Sequence, residues 1–514
     1  MIDPQIALDS VLQWDVLLVI AAAAVYGIVV GAIPGLTATM AVALLVPVTF
    51  FLDPIPAIAA IVTTVTCSIF AGDIPGALVR IPGTPASAAY TLDAYALTRA
   101  GRQEQALGIS LVFSVIGGLI GVAVLMVAAP QLVKLRYTHY EYFWLCVLGL
   151  SCAAVVSRES RMKGLFGLSI GLLIATIGVS PQHGSARFVF HKAMYQGVNF
   201  LPAMIGLFGV SEVLRNVLHL RDDPRRLPKA TEVNRRFILR HLWDPLTALV
   251  KGVLPLVWVK KVGLLRSSAI GSFVGMLPGA GADLAAWIAY AVSKRFSRTP
   301  DDYGQGSVEG LADATSANNS ALASAWLPAL VFGIPGDSVT AIALGVLMMH
   351  NITPGSQIFS DPRHSVTVAS IFAVFIIANL LLIPLGLIAI RLGSLLVRIP
   401  RRVLMPIILL FCTLGAYSFS ASMFDVLVML ALGVVGFFLE CWGVPLGPVV
   451  LGIILGETLE HRFLQCWGTP DPWWRFFTQP LSALLAAACL AMWFGPLIVR
   501  MAGRLIRRHP SGVE

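Results

Sequence analysis

Two copies of one Pro-Gly pattern, half a chain apart, restrict what this sequence can fold into more than any other feature. The first copy reads Gly31-Ala-Ile-Pro34-Gly35-Leu-Thr-Ala38, then Pro75, then Ile81-Pro82-Gly83-Thr84-Pro-Ala-Ser87-Ala88. The second reads Gly275-Met-Leu-Pro278-Gly279-Ala-Gly281-Ala282, then Pro328, then Ile334-Pro335-Gly336-Asp337-Ser338-Val-Thr340-Ala341. Gly275 lies 244 positions after Gly31, whereas Pro328 and Pro335 each lie 253 after Pro75 and Pro82. A small insertion accounts for the difference, so the pattern reads as a duplicated unit. Proline and glycine interrupt helices. Here they do so within apolar sequence, where a backbone polar group is hardest to satisfy.

Composition places those interruptions in a membrane. Hydrophobic residues make up 57% of the chain and charged ones 12%, with a mean hydropathy of +0.82. That is far from the usage of a soluble domain. The 514 residues therefore divide into bilayer-spanning segments of about 20 residues each. The seven cysteines are scattered and form no Cys-x-x-Cys pair; they read as small packing residues. Met1 to Trp14 carries Asp3 and Asp9 but no Lys or Arg. It lacks the basic start of a cleaved signal peptide, so the first apolar stretch is expected to stay in the mature protein.

The net charge of +9 is concentrated at the ends of apolar runs. Ten Lys/Arg against four Asp/Glu lie between Arg221 and Lys261, with further clusters at Arg99/Arg102, Arg158/Arg161/Lys163, Arg391 to Arg402 and Arg500 to Arg508. This is the positive-inside signature, and it argues against nucleic-acid binding. Apolar runs fall at roughly 106–130, 142–156, 164–181, 197–214, 366–390, 403–420, 422–440, 445–459 and 478–500.

With the Arg221–Lys261 loop inside, the C-terminus also falls inside. Residues 15–52, broken at Pro34-Gly35, have no Lys or Arg on either flank, so both ends belong outside. Residues 264–293, broken at Pro278-Gly279, lie between Lys260/Lys261 and Lys294/Arg295, so both ends belong inside. Each is expected to form a hairpin or helix pair, the two entering from opposite faces. Arg363, in a loop expected outside, runs against this count. The expected architecture is an all-α polytopic membrane protein of two inverted-topology repeats with broken or re-entrant helices. Residues 1–214 form the first repeat, 215–263 a basic cytoplasmic linker, 264–500 the second repeat and 501–514 a basic cytoplasmic tail.

A helix broken by Pro-Gly frees N–H groups on the half-helix that follows and carbonyls on the one that precedes. The N–H ends suit a carboxylate, and the carbonyls suit a small cation. Small and hydroxylated residues follow each break, among them Thr37, Thr39, Asp283 and Thr340. The candidate substrate-binding residues are Pro34, Gly35, Thr37, Arg80, Pro82, Gly83, Thr84, Ser87, Pro278, Gly279, Gly281, Pro335, Gly336, Asp337 and Ser338. Gly83 and Gly336 are expected to allow close backbone approach and to adopt positive φ. The alternative is that the glycines serve close helix packing and the hydroxyls cap it. Arg80 could clamp a carboxylate, snorkel to an interface or pair with Asp73.

Two polar tracts precede the second breaks: Thr63-Thr64-Val-Thr66-Cys-Ser68 leading to Asp73, and Asp313-Ala-Thr315-Ser316-Ala-Asn318-Asn319-Ser320. Oxygen-rich clusters in a membrane suggest an ion or substrate pathway. The candidate coupling-ion residues are Thr66, Ser68, Asp73, Asn318, Asn319 and Ser320, with sodium as the one metal considered. Adjacent asparagines cannot both face one helix interface, which favours an irregular, cavity-lining stretch over interhelical hydrogen bonding. Asp425, Glu440 and Glu457 have no duplicated counterpart and read as structural, and Trp467 to Trp474 reads as an interfacial belt.

The sequence has no His-Glu-x-x-His, no Walker-type glycine loop and no clustered histidines. It is read as no enzyme and as needing no cofactor, its energy coming from a sodium or proton gradient. An anion channel built from the same half-helix dipoles is the alternative, and an integral-membrane enzyme a third.

At these residues the chain resembles the large membrane subunit of the tripartite tricarboxylate transporter family. The matching stretches are Gly31-Ala-Ile-Pro-Gly-Leu-Thr, Gly72-Asp-Ile-Pro-Gly-Ala through Ile81-Pro-Gly-Thr-Pro-Ala-Ser, Gly275-Met-Leu-Pro-Gly-Ala-Gly, and Ala317-Asn-Asn-Ser through Gly333-Ile-Pro-Gly-Asp. The likeness runs from about residue 15 to 500. It implies symport of an organic carboxylate, tricarboxylate or related, across the bacterial inner membrane. It also implies a smaller membrane subunit and a periplasmic substrate-binding protein as partners.

Overall fold

The computed structural model describes residues 4–34, 36–134, 137–155, 160–180, 184–219, 247, 249–279, 281–359, 361–396, 401–468 and 474–507. Most of the expected linker, residues 220–246 and 248, and the end of the tail, 508–514, lie outside the described residues, as does Gly35. The protein is an all-α polytopic membrane protein. Among the described residues, five helices are long and apolar enough to cross a bilayer: Trp14–Gly31, Pro54–Val79, Gln103–Lys134, His364–Gly393 and Met423–Cys441.

The principal helices are α1 (Trp14–Gly31), α2 (Ala38–Thr49), α3 (Pro54–Ala71), α4 (Asp73–Val79), α5 (Thr91–Arg99), α6 (Gln103–Lys134), α7 (His139–Val155), α8 (Arg161–Ala175), α9 (Lys261–Gly275) and α10 (Gly281–Phe296). There follow α11 (Val308–Ser324), α12 (Trp326–Phe332), α13 (Ser338–Met349), α14 (Pro362–Leu396), α15 (Arg401–Ser420), α16 (Met423–Cys441), α17 (Leu446–Trp467) and α18 (Pro480–Arg507). They form two compact units. The larger comprises residues 1–134 and 199–438, the smaller 135–198 and 439–514.

In the larger unit the two expected helix pairs are present, α1 with α2 and α9 with α10. Small residues set their packing. A Cβ added to Gly27 or Gly31 of α1 would sit 2.5 Å from the carbonyl oxygen of Thr64 or Ser68 on α3. On α9, Gly271 and Gly275 press in the same way on Ala317 and Ala321 of α11. Such contacts let helix backbones approach where lipid provides no hydrophobic drive. The four glycine pairings correspond by the same offsets that relate the motifs, so duplication in sequence reappears as duplication in packing.

The polar tract of α11 departs from expectation. Asn318 and Asn319 lie in a regular helix rather than an irregular stretch. Ser307 caps it by accepting from the Gly310 amide at 3.0 Å, and every residue from Gly310 to Ser324 is buried. The helix packs against α6, α9 and α10 at once. With protein on all sides, adjacent asparagines can each be buried on a different interface, and no break in the helix is needed.

In the smaller unit, α7, α8, α17 and α18 pack together. Gly171 of α8 presses on the Val449 carbonyl of α17. Arg187, in a two-stranded turn, donates to both carboxylate oxygens of Glu460 through its two terminal guanidinium nitrogens at 2.9 and 3.0 Å. Glu141 of α7 accepts from Ser482 of α18 at 3.0 Å.

Candidate functional site

Both copies stop their second helix in the same way. The Arg80 amide donates to the Gly76 carbonyl at 3.2 Å and the Ile81 amide to Pro75 at 3.4 Å. In the second copy Gly333 donates to Ala329 at 3.0 Å and Ile334 to Pro328 at 3.2 Å. This paired closure needs a left-handed residue at the helix end. Arg80 and Gly333 supply it, with φ of 59° and 69°. Glycine does so freely, whereas Arg80 bears a penalty of roughly 1–2 kcal/mol. The first breaks match as well: Ala32 donates to Ile28 at 3.0 Å, and Met276 to Ser272 at 3.1 Å.

Past each second turn the chain restarts behind a reciprocal cap. The Thr84 amide donates to Ser87 Oγ and the Ser87 amide to Thr84 Oγ1, both at 3.1 Å. The Asp337 amide donates to Thr340 Oγ1 at 2.9 Å and the Thr340 amide to Asp337 Oδ1 at 2.8 Å. The second is a capping box at the start of α13; the first is the same reciprocal pair at the corresponding position, ahead of the 3-10 turn Ser87–Ala89 that leads into α5. Thr37 likewise accepts from the Met40 amide at 3.3 Å. The side chains of Thr37, Thr84, Ser87 and Asp337 are thus committed to fixing half-helix starts.

The tip glycines are sites of close approach. A Cβ on Gly83 would lie 2.5 Å from the Gly72 carbonyl oxygen, and one on Gly336 2.7 Å from that of Ala325. The positive φ expected at these two glycines is absent. It falls instead on Gly279 and Gly281, at 77° and 70°. Contact with backbone, not handedness, is what requires glycine at 83 and 336. The Gly279 amide donates to the Gly336 carbonyl at 2.9 Å, joining the two breaks of the second copy. Pro34, Pro278 and Pro335 are buried in these turns, while Pro82 is exposed.

The copies also meet each other. Thr39 Oγ1 and Ser338 Oγ share a hydrogen bond of 3.0 Å. Asp283 Oδ1 accepts from the Ala86 amide at 2.9 Å, and Trp287 Nε1 donates to the Pro85 carbonyl at 3.2 Å. Thr39 corresponds to Asp283, and Ser338 to Pro85. In both directions, then, the half-helix after a first break touches the start of the half-helix after the other copy's second break.

Arg80 is exposed and forms no ion pair with Asp73 among the described residues. Asp73 accepts instead from Tyr90 Oη at 2.6 Å. The other candidate ion ligands point in several directions. Thr66 and Ser68 donate to carbonyls of their own helix, Val62 at 2.8 Å and Val65 at 3.1 Å. Ser320 donates to the Ser268 carbonyl at 2.8 Å and bonds Ser272 Oγ at 2.7 Å, both on α9. Asn319 Nδ2 donates to the Ser114 carbonyl at 2.8 Å and Asn379 Oδ1 at 2.9 Å. Asn318 is 1% exposed, and neither amide atom has a hydrogen-bond partner among the described residues.

Sequence reasoning missed Tyr90, Asn379 and Asp93. Asn379 had a signal, since a lone amide in an apolar run calls for a partner. Asp93 gave none. Its Oδ1 accepts from the amides of Gly304, Gly306 and Ser307 at 2.7–2.9 Å, and its Oδ2 from Tyr290 Oη at 2.6 Å. This clasp ties α5 of the first copy to the turn between α10 and α11 of the second. Tyr303 in that turn bonds Ser293 Oγ at 2.7 Å, and burial raises its hydroxyl above the ordinary tyrosine range.

Residues 17–451, which contain every one of these paired breaks, match the Tripartite tricarboxylate transporter TctA family. The chain belongs to the TctA family. TctA is the large membrane component of a tripartite system. The chain is 32% identical over 469 residues to "Uncharacterized 52.8 kDa protein in TAR-I ttuC' 3'region" of Agrobacterium vitis, covering 90% of each chain. It is 37% identical over 216 residues to "Uncharacterized protein in TAR-II ttuC' 3'region" of the same organism, covering 42% of this chain and 88% of that one. No solved structure matches it.

Proposed function

We propose that this TctA protein performs secondary active uptake of an organic carboxylate across the bacterial inner membrane, coupled to a sodium or proton gradient. A periplasmic binding protein would deliver the substrate, and a smaller membrane subunit would complete the transporter. One observation carries the reading: half-helix starts from both copies meet in corresponding pairs, Thr39 with Ser338 and Asp283 with Ala86. Backbone N–H groups at such starts favour an anion. Paired broken helices in two halves are where secondary transporters place their substrate. Charge distribution supports inverted copies and a cytoplasmic C-terminus.

The capping geometry refines the candidate residues. Thr37, Thr84, Ser87 and Asp337 hold the half-helices in place, Gly83 and Gly336 set their approach, and Arg80 is the exposed cation next to the first tip. The test is uptake of radiolabelled citrate, malate and tartrate by cells expressing the complete tripartite system. Accumulation above the outside concentration that collapses with the ion gradients supports the transporter. Flux that only equilibrates the carboxylate would identify an anion channel instead.

A further inference from the structure

Asp73 is a carboxylate in apolar surroundings. It is 3% exposed and begins α4 just past the kink at Gly72. Its neighbours in sequence Phe70, Ile74 and Ala77 belong, with its partner Tyr90, to one buried apolar cluster. Among the described residues its hydrogen bond of good geometry comes from Tyr90 Oη, and Tyr90 is 1% exposed; Ser110 Oγ of α6 lies close by without closing a well-formed one. Asn318, from the other copy, comes close enough to act on the Tyr90 hydroxyl without closing a well-formed hydrogen bond. A buried anion and a buried amide with unused oxygen and nitrogen thus lie on either side of one hydroxyl.

Charges on the elements packed against α4 are otherwise engaged or placed at helix ends. Glu104 of α6 pairs with Arg391 of α14 at 3.1 Å. Asp93 of α5 is held by the clasp, and His364 of α14 pairs with Asp361 at 3.4 Å. Arg99 and Lys134 stand in the last turns of α5 and α6. Across the tip, Asp283 of α10 adds negative charge near Tyr90. No cation of the protein pairs with Asp73 among the described residues. An uncompensated buried carboxylate is costly, so it must be neutralised by something that arrives.

Resting on the transport reading above, we propose that Asp73, Tyr90 and Asn318 form the seat of the co-transported monovalent cation, a proton or a sodium ion. Asp73 carries the charge. It takes the cation up from the periplasmic side and gives it up inside, with no other bond changed. Two features link this seat to substrate. The Gly72 carbonyl, beside Asp73, accepts from the Gly83 amide at 3.1 Å, and Tyr90 closes the turn that begins at Ser87. Neutralising Asp73 therefore acts directly on the tip that meets Asp283. The positions corresponding to Asp73 and Tyr90 are Trp326 and Ala343, so the seat exists once per chain and draws Asn318 from the second copy.

The test uses the full chain in liposomes with its membrane partner and binding protein, and radiolabelled citrate, malate and tartrate tested singly. Asp73→Asn should lose gradient-driven accumulation, the inside-to-outside ratio falling to about one, while counterflow exchange stays measurable. Tyr90→Phe and Asn318→Ala should raise the cation concentration for half-maximal accumulation by about tenfold at saturating carboxylate. An imposed pH gradient without sodium, and a sodium gradient at constant pH, distinguish the two cations. Wild-type accumulation by Asp73→Asn would overturn the proposal. If Asp73→Asn fails to reach the membrane, unchanged cation dependence in both other variants overturns it equally. Wild-type exchange that neither gradient can drive uphill also overturns it, yet leaves carboxylate transport standing. No exchange of any carboxylate by the wild type sinks the transport reading itself.

Discussion

Thr39 and Ser338 stand 299 positions apart and share a hydrogen bond of 3.0 Å at the first turns of α2 and α13. Asp283, the counterpart of Thr39, makes the reciprocal contact with the Ala86 amide at 2.9 Å. The exchange differs in chemistry, hydroxyl to hydroxyl in one direction and carboxylate to amide in the other. A charge-assisted hydrogen bond is about twice as strong as a neutral one. Any motion that parts the copies should therefore open the Thr39–Ser338 side first.

The tip glycines should tolerate no side chain. In Gly83→Val and Gly336→Val the added carbon meets a backbone carbonyl oxygen at 2.5 and 2.7 Å, which cannot move without displacing the helix kink behind it. Overpacking of this kind costs about 1–3 kcal/mol or more. Uptake normalised to membrane protein is expected to fall to background in both variants, with the protein still inserted. Normal uptake in both would reduce the tips to packing elements.

Asn319 should behave as a structural residue. Its amide bridges α6 and α14 through Ser114 and Asn379. Asn319→Ala and Asn379→Ala should each lower thermal stability of the purified protein by about 1–3 kcal/mol, because the partner is left buried and unsatisfied. The double variant should lose less than the sum. Half-maximal ion and carboxylate concentrations should not move, and a shift in the ion dependence of Asn319→Ala alone would restore it as a ligand.

The fold class and the duplicated breaks were legible because both are written in local chemistry, as apolar runs and as Pro-Gly at fixed offsets. The reciprocal caps were half legible. Thr84 with Ser87 and Asp337 with Thr340 have capping spacing, yet their hydroxyls could equally have faced a ligand. The partition of the polar tract was not legible. Which neighbours Asn318 and Asn319 meet depends on α6, α14 and Tyr90, all distant in sequence. Asp93 was invisible for the same reason, as its partners lie some two hundred residues away.

Asp93 should be a stability determinant of the larger unit. Asp93→Ala leaves three backbone amides and the Tyr290 hydroxyl without their acceptor, and hydrogen bonds to a charged group contribute about 1.5–3 kcal/mol each. A loss of at least about 3 kcal/mol is expected in the thermal midpoint analysis. Asp93→Asn, which can still accept at Oδ1, should lose less. Equal midpoints for wild type and Asp93→Ala would contradict the clasp.

Arg80 separates backbone strain from ligand contact. Arg80→Gly restores the residue found at the corresponding position, Gly333, and should relieve roughly 1–2 kcal/mol of left-handed strain. Thermal stability should therefore rise. If Arg80 clamps the carboxylate, the same variant should need about tenfold more substrate for half-maximal uptake, and Arg80→Lys should recover only part of that. Higher stability with unchanged substrate dependence would remove Arg80 from the site.

Inverted copies make a prediction about sidedness. Asp53, before α3, and Arg298, after α10, are both exposed. Positive-inside counting puts Asp53 in the periplasm and Arg298 in the cytoplasm. Single cysteines at the two positions should differ in labelling by an impermeant thiol reagent on intact cells, Asp53→Cys reacting and Arg298→Cys reacting only after permeabilisation. Cys441 is the exposed cysteine among the seven, so the assay belongs in a Cys441→Ser background. Labelling of both positions on intact cells would place the two ends on one face, and the copies would then be parallel.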